Sequence, residues 1–110
     1  MNGEIFKNIP DATKAEQFET LCLAAGFRVE RIVSDGQCSP DGFWYDQAWD
    51  EWVLMLRGGA TLQLLEPEET VYLAAGDWIF LPAHRKHRIE SCSKEPPSIW
   101  LAVHGSTAEL

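Results

Sequence analysis

The sequence is poor in basic residues and in long apolar runs. It contains nine Lys and Arg and 17 Asp and Glu, which gives a formal net charge of −8 at pH 7. Nucleic acids and anionic lipid surfaces bind through basic patches, so this composition disfavours both as partners. The apolar runs are only a few residues long, far short of the ~20 residues that a transmembrane helix needs. These absences indicate a soluble protein that binds neither a nucleic acid nor a membrane.

Disulfide and targeting signals are also missing. The chain contains three Cys, and no two of them have CxxC spacing. An odd number without metal-binding spacing favours a reducing compartment over a disulfide framework. The stretch 1–10 carries Glu4 and has no apolar core of the kind found in secretory signals. We therefore expect a cytoplasmic protein in which the following residues are free thiols: Cys22, Cys38 and Cys92.

The first structured segment has the pattern of a short helix. Thr13 and Glu16 have the spacing of a capping box, and apolar residues follow at helical spacing. Gly26 occupies the position at which a helix would end. The pattern predicts an amphipathic helix over residues 13–25.

After this helix the apolar spacing becomes that of strands. About eight short segments with turn residues between them predict an antiparallel β-sandwich or barrel. Gly58 and Gly59 predict a hairpin turn between two of these strands. The 110 residues fit one such domain. We divide the chain into an N-terminal extension with the helix (1–26), a β-barrel domain (27–104) and a C-terminal tail (105–110).

Two stretches resemble the conserved motifs of the cupin superfamily. In the first, Glu51 leads into an apolar strand that closes at Gly58. The second cupin motif runs Gly, five residues, Pro, one residue, Gly, two residues, His; these positions hold Gly76, Pro82, His84 and His87. His84 replaces the second glycine, where a left-handed backbone would carry some cost. The resemblance implies an all-β, cupin-type jelly-roll barrel whose strands line a cavity, with Glu51 and His87 facing the same interior.

Metal-binding cupins use a His-x-His pair as well as these residues, and this chain lacks the pair. Counting back from Glu51 places either Trp44 and Asp46 or Tyr45 and Gln47 at the two positions. Strand alternation lets only one of these pairs face the cavity, and the sequence leaves open which one. The metal ligands that the resemblance implies are Asp46, Gln47, Glu51, His84 and His87. They suit a divalent transition metal such as Zn, Fe, Mn or Ni, and the sequence also leaves open whether one is bound.

A small-molecule pocket is the remaining expectation. Its candidate lining residues are Trp44, Tyr45, Val53, Met55 and His104. Such a pocket suits a metal-dependent enzyme of dioxygenase or isomerase type. The alternative is a non-catalytic module that binds a sugar or carboxylate, or a structural dimer with a vestigial pocket. Five Trp in 110 residues leave aromatic side chains on outward faces, so we expect a homodimer with a mainly apolar interface.

Overall fold

Eight β-strands make up the part of the chain that the computed structural model describes, residues 2–105. They are β1 Gln17–Ala24, β2 Phe27–Ser34, β3 Asp50–Arg57, β4 Gly59–Leu64, β5 Glu69–Ala74, β6 Trp78–Leu81, β7 His87–Cys92 and β8 Ser98–Gly105. Neighbouring strands are antiparallel throughout. Residues 2–105 contain no helix of the length and apolarity needed to cross a membrane. The predicted tail 105–110 lies outside the described residues, apart from its first residue.

The strands form two sheets that pack face to face as a jelly-roll barrel. One sheet has five strands in the order β1-β2-β8-β3-β6, and the other has three in the order β5-β4-β7. Alternate side chains of a strand point to one face, and the inward apolar ones form the core: Val53, Met55, Ala60, Leu62, Leu64, Leu73, Leu81, Trp100 and Ala102. The all-β, cupin-type jelly roll expected from the sequence is confirmed.

The helix predicted over residues 13–25 is wrong, because this stretch contains strand β1. β1 pairs with β2 along its length, and pairing with a neighbouring strand overrides a weak helical periodicity. Gly26, with a φ of 89°, lies in the tight turn between the two strands and not after a helix. Glu16 caps no helix; its carboxylate accepts a hydrogen bond from the Ser34 hydroxyl of β2. The residues of a capping box also serve turns and cross-strand contacts.

The predicted hairpin at Gly58 and Gly59 is also wrong. β3 pairs with β6 on one edge and with β8 on the other, while β4 lies between β5 and β7. A strand has only two hydrogen-bonding edges, so β3 has none left for β4. The glycine pair therefore carries the chain from one sheet to the other.

Two aromatic side chains of the edge strand β6 point away from the barrel interior. Trp78 is 61% exposed and Phe80 is 50% exposed, and the ring centroid of Trp52 lies 6.2 Å from that of Trp78. Clustered exposed apolar side chains mark interaction surfaces. The homodimer stays a prediction, and this face is where we expect its interface.

We expect Gly58→Ala to lower the free energy of unfolding by roughly 2–4 kcal/mol, from backbone strain and overpacking together. A Cβ on Gly58 would lie 2.3 Å from Ser93 Oγ and 3.0 Å from Ser98 Cα. Gly42→Ala is the control, since Gly42 has a φ of 78° against 79° for Gly58 but no atom within 4 Å of a Cβ. Gly42→Ala should lower the free energy of unfolding by only about 1–2 kcal/mol, from backbone strain alone. Urea unfolding measures both, and equal losses would contradict the close approach at Gly58.

Candidate active site in the barrel cavity

A cavity of about 230 Å³ lies between the two sheets. It is smaller than the ~300–1,000 Å³ typical of drug-sized ligands. Its apolar wall consists of Phe18, Ile32, Val53, Leu62, Leu81, Ile89 and Trp100. Its polar wall consists of Glu16, Arg28, Glu30, Tyr45, Gln47, Glu51, His87 and His104. The cavity therefore suits a compact polar molecule.

Strand register places three of the polar residues in one row across the five-stranded sheet. Arg28 of β2 lies opposite His104 of β8, and His104 lies opposite Glu51 of β3. Neighbouring strands are ~4.8 Å apart, so the backbones at Arg28 and Glu51 are about 10 Å apart. His87 comes from β7 in the other sheet, and the polar groups therefore meet across the barrel.

Glu51 is the buried carboxylate at the centre of the cavity. It is 7% exposed, and its Oε1 accepts a hydrogen bond of 2.9 Å from the Gln47 amide. Its Oε1 lies 4.0 Å from Nε2 of His87, and its Oε2 lies 4.0 Å from Nε2 of His104. Both imidazoles are thus close enough to share a small bridging group with Glu51, but too far to bond it directly.

His87 presents a lone pair to Glu51. Its Nδ1 lies 3.1 Å from the carbonyl oxygen of Arg85. A carbonyl can only accept, so Nδ1 carries a proton, and in the neutral imidazole Nε2 is an acceptor that faces the cavity. The Tyr45 ring stacks on the imidazole, with centroids 5.2 Å apart. The His87 ring is therefore fixed on both its edge and its face.

His104 has the opposite tautomer. The Trp49 indole donates a hydrogen bond of 2.9 Å to its Nδ1, and an indole can only donate. Nε2 therefore carries the proton and donates a hydrogen bond of 3.1 Å to Glu30 Oε1. The two imidazoles of the cavity differ in what they offer a ligand, because each is held by a group with a single hydrogen-bonding role.

Burial raises the pKa of the Tyr45 phenol, and the carboxylates of Glu16, Glu51 and Glu30 raise it further. An ordinary phenol is already protonated at neutral pH, and the raised pKa extends the protonated range of Tyr45 further into alkali. Tyr45 therefore remains a hydrogen-bond donor in a cavity that is rich in carboxylates.

The structure places the predicted residues in two groups. Tyr45, Gln47, Glu51, Val53, His87 and His104 line the cavity. Met55 is fully buried in the core, and Trp44 lies outside the cavity beneath the Arg88 guanidinium, 6.0 Å away. Of the two pairs that the sequence left open, Tyr45 and Gln47 therefore face the cavity, and Trp44 and Asp46 do not.

Asp46 and His84 also lie outside the cavity, and the expectation that they join Glu51 at one metal ion does not match their position. His84 takes the left-handed backbone of the missing glycine, with a φ of 64°. Its Nδ1 donates to Asp46 Oδ1 at 2.7 Å on the exposed surface. Alternation along the segment turns Asp46 outward because its neighbours Tyr45 and Gln47 turn inward.

Sequence reasoning missed three polar residues of the cavity wall, Glu16, Arg28 and Glu30, and also Trp49, whose indole bonds His104. It also missed the apolar lining residues other than Val53: Phe18, Ile32, Leu62, Leu81, Ile89 and Trp100. Arg28 and Glu30 share one face of β2 with Ile32, a pattern that the alternation shows. The alternation does not say which face is inward. Glu16 was assigned to a helix cap, and Trp49 lies before β3 in a segment without regular structure.

The arrangement does not fit a transition-metal site. Such a site needs three or more donors with free lone pairs. His87 and Glu51 offer two, but Gln47 directs its amide NH₂ toward Glu51 and the His104 Nε2 carries a proton. In residues 2–105, no group of three or more His, Cys, Asp or Glu side chains is placed to hold a metal ion.

Comparison with solved structures identifies the family. A protein from Ralstonia eutropha JMP134, provisionally named a mannose-6-phosphate isomerase, is 37% identical, with a TM-score of 0.91 over 97% of this chain and 99% of that chain. The barrel, the two motifs and the enclosed polar cavity are those of a cupin. This chain belongs to the cupin superfamily.

More distant structures share the fold alone. A cupin superfamily protein from Desulfitobacterium hafniense DCB-2 is 17% identical, with a TM-score of 0.73 over 89% of this chain and 84% of that chain. KdgF from Halomonas sp. is 16% identical, with a TM-score of 0.69 over 90% and 88% of the two chains. No family model and no curated protein matches the sequence.

We expect nitrogen-15 NMR to find His87 protonated on Nδ1 and His104 protonated on Nε2. Replacing Trp49 with Phe removes the indole donor, so the His104 tautomer should become mixed while that of His87 stays unchanged. Trp78→Phe is the control, because Trp78 contacts neither imidazole and is exposed. Finding one tautomer for both rings in the unaltered protein would contradict the hydrogen-bond assignment.

The raised pKa of Tyr45 predicts a loss of stability in alkali. Above about pH 10 the unfolded phenol loses its proton while the folded one keeps it. The free energy of unfolding should therefore fall as pH rises through this range, and Tyr45→Phe should remove part of the fall. Tyr72→Phe, at the exposed second tyrosine, is the control in urea unfolding at several pH values. An unchanged slope in Tyr45→Phe would show that the phenol is not perturbed.

Proposed function

We propose that this cupin binds a compact hydroxylated molecule of hexose size in its cavity and isomerises it by proton transfer, without a metal ion. The observation that carries the proposal is the pair formed by Glu51 and His87. Two acceptors are held 4.0 Å apart inside the cavity. An oxygen atom about 2.8 Å from each fits between them.

The hydrogen-bonding character of the cavity favours hydroxyl groups in the ligand. The Glu51 carboxylate and the His87 Nε2 are acceptors, so they pair with O–H donors. The protonated Tyr45 phenol can donate to a ligand oxygen in return. The apolar wall packs against carbon-bound hydrogens, and compact sites with few polar groups use such a wall to fix ligand orientation.

Interconversion of an aldose and a ketose needs only what these residues supply. The Glu51 carboxylate takes the proton from the carbon beside the carbonyl group and returns it to the former carbonyl carbon. His87 Nε2 accepts the hydroxyl proton and passes it to the neighbouring oxygen. The bonding electrons shift through an enediol, and the reaction consumes no oxidant or reductant. Positioned acid–base groups of this kind contribute about 10²–10⁴-fold to the rate.

The relative from Ralstonia eutropha supports this reaction class, since its provisional name is that of a sugar-phosphate isomerase. The dioxygenase type, and a role for Zn, Fe, Mn or Ni, are not part of the proposal. The reason is the donor set, in which Gln47 and His104 direct N–H groups and not lone pairs toward Glu51 and Glu30.

Deuterium exchange tests the proposal. Aldohexoses, ketohexoses and their 6-phosphates are incubated with the protein in D₂O, and proton NMR follows exchange at the carbon beside the carbonyl group. Glu51→Gln should slow the exchange by about 10²-fold or more, because an amide does not take up the proton. Asp46→Asn makes the same carboxylate-to-amide change outside the cavity and should leave the rate unchanged.

Two results would contradict the proposal. Absence of exchange with every sugar, together with measurable binding, would leave the non-catalytic binding module as the function. A stoichiometric transition metal in elemental analysis of the purified protein, lost in His87→Ala, would overturn the metal-independent mechanism.

A further inference from the structure

Arg28 is a charged residue of the cavity wall, and its side chain has no polar partner among the described residues. Among residues 2–105, no acceptor bonds its guanidinium. Its Nε is shielded from solvent without a partner, as is the Nε of Arg88, whose other guanidinium nitrogens are hydrogen-bonded. Within the described residues Arg57 also has no polar partner, and it lies exposed over the Phe6 ring, 4.8 Å from its centroid. The remaining arginines donate hydrogen bonds to carbonyl or carboxylate oxygens: Arg31, Arg85 and Arg88.

Among the described residues, none of the carboxylates that share the cavity forms a hydrogen bond or an ion pair with Arg28. Glu16 accepts from the Ser34 hydroxyl, Glu30 from the imidazole of His104 and Glu51 from the amide of Gln47. Each is thus held by a partner of its own, and the described residues include no ion pair to Arg28. A guanidinium in the cavity wall without an acceptor can form a charge-assisted hydrogen bond to an oxygen of a ligand.

Arg28 lies where the cavity meets open solvent. It lines the cavity and also an adjacent open groove, whose wall includes Leu23, Trp49 and Gly105. An anionic group beside Arg28 would keep part of its hydration in the groove. It would also lie away from the carboxylate of Glu51, because His104 of β8 separates the two in the row across the sheet.

We infer that Arg28 binds an anionic group of the ligand, a carboxylate or a phosphate, at the end of the molecule remote from the reacting carbon. The position of the reacting carbon rests on the proposed function, because Glu51 and His87 define it. The guanidinium fork matches both kinds of anion. About 10 Å of backbone separation between Arg28 and Glu51 leaves room for several bonds of a hydroxylated carbon chain between the two ends. The ligand class is therefore a hydroxylated carbon chain with a terminal acid group.

Three probes that share one carbon skeleton test this inference. Glucose, glucuronate and glucose 6-phosphate carry a neutral, a carboxylate and a phosphate group at the same carbon, and calorimetry measures their dissociation constants. We expect at least one anion to bind about tenfold or more tightly than glucose, as a charge-assisted hydrogen bond requires. The anion with the lower dissociation constant identifies the carboxylate or the phosphate as the preferred group.

Variants then assign the preference to Arg28. Arg28→Gln should abolish the preference while glucose binding changes less than about twofold, and Arg28→Lys, which keeps the charge, should retain part of it. Arg57→Gln removes an exposed arginine outside the cavity and should retain all of it. Equal affinities for the three probes, failure of both anions to bind, or a preference that survives Arg28→Gln would each overturn the inference.

The two proposals fail in different ways. Deuterium exchange that requires Glu51 but shows no anion preference contradicts the role of Arg28 alone. An anion preference that requires Arg28, found without any exchange, supports the anion site and contradicts the isomerase alone.

Discussion

The buried carboxylate of Glu51 needs polar partners on every side, because a carboxylate removed from water costs several kcal/mol unless it is compensated. The amide of Gln47, from the segment before β3, supplies one hydrogen bond to Glu51. The imidazoles of His104 on the adjacent strand and of His87 in the opposite sheet each lie 4.0 Å from a carboxylate oxygen, which leaves space for a bridging group. Packing of the two sheets around Glu51 therefore leaves a polar cavity beside it.

The imidazoles on either side of Glu51 have different roles, and the surrounding protein assigns them. The Arg85 carbonyl accepts from His87, which leaves an acceptor toward the ligand. The Trp49 indole donates to His104, which directs its proton to Glu30. Groups that have a single hydrogen-bonding role fix tautomers more firmly than water does. The chemistry of this cavity therefore depends also on Arg85 and Trp49, which do not line it.

The cavity differs from the metal-binding form of the cupin pocket at the two positions of the missing His-x-His pair. Tyr45 and Gln47 occupy these positions, and each has a hydrogen-bond donor where a metal site has an imidazole lone pair. This difference supports the proposal that the barrel binds an organic ligand through hydrogen bonds. Arg28 at the mouth adds a charge that the cavity carboxylates leave unpaired.

The sequence by itself determined the β-barrel and two of its central side chains. The spacing around Glu51 and His87, with glycine and proline at turns, is enough to recognise the cupin barrel. It could not decide whether Asp46 or Gln47 faces inward, since a shift of one residue reverses every side chain of an extended segment. It also predicted a helix where β1 pairs with β2, because periodicity records one segment and pairing depends on another. Only the tertiary structure brings Arg28, His104 and Glu51 into one row, because that row depends on the register of strands that are far apart in sequence.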